Sequence, residues 1–245
     1  MDQPRPVVLH LISSLNIGGA ERLLVWSMQA AKDDDDVSYV HVIMNDGDDA
    51  GLFADLQATG YPIYRLDRRE GHLHLKYLRA LLAIIDQHGV RVVHTHNEGS
   101  RFWGMLARLL RPGLKLVYTV HSEGNAITLT GWKRMAYRRL VDATVAISRF
   151  VEAETRPMDV RNLTLIENGV DLDRFRTAPR AAVPTGPLRL VSVGRFAPAK
   201  GQDILVQAFA EALDRGLDAT LRLAGVAADT DFHAHLMAMV ADRGL

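Results

Sequence analysis

The residue types able to do chemistry in this chain gather where predicted strands end. Asn16-Ile17-Gly18-Gly19-Ala20-Glu21-Arg22 follows the first strand and opens a helix. Glycines there let the backbone come close to a ligand, and a helix N-terminus offers free N–H groups to an anion. The spacing is not G-x-G-x-x-G, so the dinucleotide fingerprint is absent; a plain tight turn is the alternative. His94-Thr95-His96-Asn97 closes a fourth strand, and residues two apart share a face of a regular strand. With His121 they carry the ligand types of a three-histidine metal site, although polar residues at strand ends more commonly meet a ligand or water. His121 ends the fifth strand, ahead of Ser122 and Glu123, at the edge where open parallel sheets bind ligands; a hydrogen-bonded surface histidine is the alternative. The sharpest local pattern is Val193-Gly194-Arg195-Phe196-Ala197-Pro198-Ala199-Lys200-Gly201. An Arg that grips phosphate with two parallel N–H bonds and a Lys that adds a point charge stand five apart before a helix. The pair suits a pyrophosphate, against the alternative of two ordinary surface cations.

The elements that must position these residues alternate. Short β-rich apolar runs recur at 7–12, 39–44, 63–66, 90–94, 115–121, 144–147 and 163–166. They read as buried strands of a parallel sheet, which need not alternate in polarity. Between them, Leu78, Leu81, Leu82 and Ile85 place apolar groups on one helix face, and Phe102, Leu106, Leu109 and Leu110 do the same on another. Alternation of this kind predicts βαβ units and a doubly wound α/β domain over 1–175. Residues 176–187, RTAPRAAVPTGP, read as a linker because proline fixes φ and removes a donor. A second unit, 188–245, follows as strand, helix, strand, helix. Ile204, Leu205, Ala208, Phe209, Ala212 and Leu213 form one stripe, and Phe232, Leu236, Met239 and Val240 another. Two parallel strands and two helices make an incomplete core.

Composition closes off several classes. The chain has 245 residues, 48% hydrophobic and 24% charged, with 29 Lys+Arg against 29 Asp+Glu. That is an ordinary globular balance, not a disordered chain or a strongly basic nucleic-acid binder. The absence of cysteine excludes disulfides and thiolate sites. The apolar run 80–85 is too short to span a bilayer. No basic segment followed by an apolar one marks the N-terminus as an export signal, so the expected location is cytoplasmic. The acidic run 33–36 reads as a solvated turn. Charge is uneven: residues 101–139 hold eight Lys/Arg against Glu123 alone. Trp103, Arg108, Leu109, Leu110 and Arg111 within that stretch suggest peripheral contact with an anionic membrane face. The plainer alternative packs the apolar members on the sheet and leaves the arginines solvated.

Taken in order, GGAER (18–22), VVHTHN (92–97), VYTVHS (117–122), VAISRFV (145–151), IENGVDLDRF (166–175) and VGRFAPAKGQDILVQAF (193–209) resemble the retaining glycosyltransferases of family 4. The resemblance implies the GT-B fold of two Rossmann-like domains, here an N-terminal acceptor-side domain and an incomplete donor-binding one. It implies sugar transfer from a nucleotide-sugar to a glycan or lipid-linked acceptor, in polysaccharide biosynthesis at the cytoplasmic face of a membrane. Arg195 and Lys200 would hold the donor diphosphate, Gly18 and Gly19 would approach it, and His121 would contact the transferred sugar. Asn168 falls on the donor side, and Asn97, Glu123 and Ser148 on the acceptor side. The family works without a bound metal, and no cofactor and no nucleic-acid partner are expected.

One departure stands out. The family's Glu-x7-Glu motif is missing: no two of Glu21, Glu70, Glu98, Glu123, Glu152, Glu154, Glu167 and Glu211 are eight apart. The expectation is therefore a truncated chain, inactive alone, whose longer parent is the enzyme. A non-catalytic partner that keeps an acceptor-binding domain is the alternative. A sugar-nucleotide epimerase shares the layout but matches the motifs poorly.

Overall fold

A computed structural model of the chain describes residues 5–32, 36–121, 131–176, 186–227 and 229–245. The predicted linker and acidic run fall mostly outside them. The chain divides into two compact units after Arg176.

The first unit runs β1 (Val7–Ile12), α1 (Gly19–Ala30), β2 (Ser38–Asn45), α2 (Ala50–Gln57), β3 (Ile63–Arg68), α3 (Leu75–Gln87) and β4 (Val90–Thr95). It continues with α4 (Glu98–Leu110), β5 (Lys115–Val120), α5 (Gly131–Leu140), β6 (Ala143–Ala146), α6 (Arg149–Thr155) and β7 (Leu163–Leu165). All seven strands are parallel, in the order β3-β2-β1-β4-β5-β6-β7. Both faces of such a sheet must be covered. α1 and α2 bury Leu24, Val25 and Leu52 against Ile12 and Ile43 on one face. α3, α4 and α5 bury Leu81, Trp103 and Tyr137 with Leu9, Leu11 and Leu116 on the other. The strand order reverses between β1 and β4, which opens a ligand crevice at their carboxyl ends.

α3 buries Leu78, Leu81 and Ile85 as its periodicity predicts. α4 does not follow its apolar stripe: Phe102, Leu109 and Leu110 are exposed, and Ser100, Arg101, Trp103, Gly104 and Ala107 face inward. The reason is packing chemistry. The Arg101 guanidinium stacks 4.7 Å over the Tyr118 ring and 5.2 Å over Tyr137. Gly104 lets the helix lie against Thr95 and Leu116, where a Cβ would come within 2.9 Å of both side chains. The surface patch expected at 103–111 is changed accordingly. Trp103 belongs to the core, and Arg108 and Arg111 are paired with Asp142 and Asp86.

The second unit comprises β8 (Leu188–Val193), α7 (Gln202–Asp214), β9 (Ala219–Ala224) and α8 (Thr230–Asp242). β8 and β9 pair in parallel as a sheet of two strands. Val206, Phe232 and Leu236 form its small core. α7 turns Gln202, Val206 and Ala210 inward and leaves Ile204 exposed, so its predicted stripe is also rotated.

Candidate functional site

The site begins with strand parity. Leu9 and Leu11 face α3–α5, so His10 between them faces the α1 side. Parallel register then sets His10 opposite His41 on β2 and His94 on β4. Three imidazoles thus form a row across three neighbouring strands, and His96 follows two residues beyond His94. His10 Nδ1 lies 2.8 Å from His96 Nε2, and His96 Nδ1 lies 3.2 Å from His121 Nε2. His94 Nε2 is 2.7 Å from Thr119 Oγ1. The expectation that His94 and His96 share a face with His121 nearby is what the structure shows.

Burial keeps the whole group neutral. It lowers His41, His94 and His121 to about 4, with the charge of neighbouring His121 adding to the effect on His94. His10 and His96 lie well below the usual imidazole value, through burial first and neighbouring imidazoles second. Both ring nitrogens of His41 are buried without a hydrogen-bond partner. Among the described residues, His10, His94 and His96 form the group able to hold a metal ion, each offering one nitrogen within 4.8 Å of the others.

A cavity of about 230 Å³ opens beside this cluster. His10, His94, His96, Thr119 and His121 line it together with Leu23 and Leu24 of α1 and with Glu167, Asn168 and Gly169. His121 and Asn168, 47 positions apart, are therefore brought to one space. A small polar ligand there would meet imidazole and carboxamide donors against an apolar wall.

Gly18 is the N-cap of α1 in an extended conformation, φ −161°, and a Cβ on Gly19 would meet nothing within 4 Å. Neither backbone is left-handed; a Cβ on Gly18 would fall 2.2 Å from the Glu21 carboxylate, so the Glu21 side chain lies over that glycine. Asn97 caps α4: its Oδ1 accepts from Ser100 N at 3.0 Å and from Ser13 Oγ at 2.6 Å. Ser148 caps α6 by accepting from Val151 N at 3.2 Å. Both have structural duties, with the Asn97 carboxamide nitrogen left over. Glu123 lies outside the described residues.

In the second unit, Arg195 and Lys200 are exposed on the turn between β8 and α7. Gly201 starts α7 at φ +63°, a conformation other residues adopt only with strain. The buried Gln202 side chain donates from Nε2 to the Arg195 carbonyl at 2.8 Å and ties the turn together. A Cβ on Gly225 would fall 1.9 Å from the Gly194 carbonyl oxygen, so only glycine lets the two strand ends meet there.

Sequence reasoning missed His10, His41, Glu167, Gln202 and Gly225. A lone polar residue inside the apolar runs VVLHLI and SYVHVIMN was the available signal for the two histidines.

The family model described as Glycosyltransferase Family 4 matches residues 17–174. The chain belongs to glycosyltransferase family 4. Among curated proteins, this family 4 chain is 31% identical to D-inositol 3-phosphate glycosyltransferase of Thermobispora bispora, over 62% of the chain and 41% of that protein. Among solved structures, a glycosyltransferase from Rickettsia africae matches with a TM-score of 0.77 at 17% identity, covering 99% of this chain and 66% of the other. HepE of Anabaena, solved in complex with UDP and glucose, matches at 0.72 and 20%, covering 97% and 66%. The architecture is the GT-B type, and the family 4 chain spans less than half the length of its curated relative.

Proposed function

We propose that the protein carrying this chain transfers a sugar from a nucleotide-sugar donor to a glycan or lipid-linked acceptor, with retention of anomeric configuration. The observation that carries this reading is the cavity at the carboxyl edge of the seven-stranded sheet, where His121 and Asn168 share one wall. The UDP and glucose held by HepE support a nucleotide-sugar donor. In this reading residues 1–175 are the acceptor-side domain, 176–187 the linker and 188–245 part of the donor-binding domain. Asn97, Glu123 and Ser148 contribute to the acceptor side, and His121 positions the transferred sugar. No helix among the described residues is long and apolar enough to cross a membrane, and a lipid-linked acceptor would be met peripherally at the cytoplasmic face.

The chemistry follows from where charge develops. Cleaving the sugar–phosphate bond leaves negative charge on the departing diphosphate. Fixed cations stabilise that state more than the bound substrate, so the transfer needs no metal. Arg195 and Lys200 are assigned to the diphosphate, with Gly18 and Gly19 admitting it close to the backbone. In the full-length protein, Arg195→Ala and Lys200→Ala should each lower transfer by about 10² to 10³, with unchanged thermal unfolding. Measuring nucleotide release and product formation for both variants tests this; wild-type turnover by both would overturn the assignment.

A further inference from the structure

The imidazole cluster has a use that sugar transfer does not absorb. We propose that His10, His94 and His96 form a binding site for a single divalent transition-metal ion of the zinc class.

The donor set decides the class of ion. Imidazole nitrogens suit zinc, copper, nickel and cobalt, whereas magnesium and calcium demand oxygen ligands. Zinc–nitrogen bonds of about 2.0–2.1 Å in a tetrahedron place ligand nitrogens about 3.4 Å apart. The three offered nitrogens already lie within 4.8 Å of one another. His10 Nδ1 and His96 Nε2, now 2.8 Å apart with one proton between them, need part only by roughly half an ångström to bond an ion in place of that proton.

The surroundings match what metal-binding histidines use. Such a histidine holds its other ring nitrogen on a hydrogen-bond partner, which fixes tautomer and ring plane. His94 has Nε2 on Thr119 Oγ1 at 2.7 Å, leaving Nδ1 as its lone-pair donor. His96 has Nδ1 on His121 Nε2 at 3.2 Å, leaving Nε2. The backbone is equally fixed, because His10 and His94 stand opposite each other on paired strands. The cavity lined by all three residues gives an ion access and room for a fourth ligand. The unpartnered, buried nitrogens of His41, whose ring lies 5.6 Å from that of His10, are a second sign that the cluster is arranged for more than packing.

The ion takes no part in sugar transfer.

The test needs no substrate and stands apart from the transferase reading. Chelator-treated protein is titrated with zinc chloride by calorimetry, then with cobalt(II) followed by visible absorption. One ion per chain is expected, with the intense absorption of tetrahedral cobalt, and magnesium should give no heat. His10→Asn and His94→Asn should abolish uptake. Thr119→Val, which keeps the side-chain shape but leaves His94 Nε2 unpaired, should weaken it by about 10- to 100-fold while circular dichroism shows the fold retained. The double variant His72→Asn/His74→Asn, on exposed histidines outside the cluster, should bind as the wild type does. No uptake by the wild type, uptake unaffected by Thr119→Val and His94→Asn, or uptake lost with His72 and His74 would each overturn the proposal.

Discussion

His41 shows how far a single buried side chain can shape behaviour. Its folded-state value of about 4 lies below the unfolded value of about 6.5, so the unfolded chain takes up the proton first. Stability is therefore intact above about pH 6.5 and falls as the pH drops toward 4, by roughly 3 kcal/mol from His41 alone. His41→Leu removes this protonation and two unpartnered nitrogens. Urea unfolding of chelator-treated protein should show an equal or higher midpoint at pH 7.5 and a shallower loss toward pH 4.5; undiminished acid sensitivity would count against the account. His94, His96 and His121 were legible in the sequence because strand ends are where polar residues meet ligands. His10 and His41 were not, because their meeting depends on the register of β1 against β2, and register between distant segments leaves no local mark.

At the scale of elements, periodicity located the helices better than it aimed them. α3 buries the face its apolar residues define, since nothing competes with them. α4 is aimed by the stacking of Arg101 on two tyrosines and by the small face at Gly104, interactions a hydrophobic pattern does not contain. α7 follows the same rule, with buried Gln202 fastening the turn that presents Arg195 and Lys200. That turn rests on the approach of Gly225 to Gly194. Gly225→Ala should destabilise the second unit by about 1–3 kcal/mol through forced displacement of backbone, seen as earlier hydrogen exchange in β8 and β9. An unchanged exchange pattern would show that the strand ends separate at no cost.

For the whole molecule, the division after Arg176 leaves each unit with its own core. The two large apolar clusters fall wholly within the first unit and the third within the second. Residues 1–176 expressed alone should therefore unfold in one cooperative transition by circular dichroism, and a broad, non-cooperative loss of signal would contradict a self-sufficient core. The alternation that predicted a doubly wound sheet was plain in the chain, because parallel strands buried on both faces are apolar throughout. The second unit's ladder of two strands has a different consequence. Among the described residues, Val191 and Val193 are 67% and 81% exposed, and β8 and β9 each pair along one side. In residues 1–245 expressed by themselves, those sides offer backbone donors and acceptors beside exposed valines, a template on which an extended segment, including another copy of β8, can add. In a concentrated solution of that 245-residue chain, self-association should start there, and a charged residue in place of Val193 should slow it.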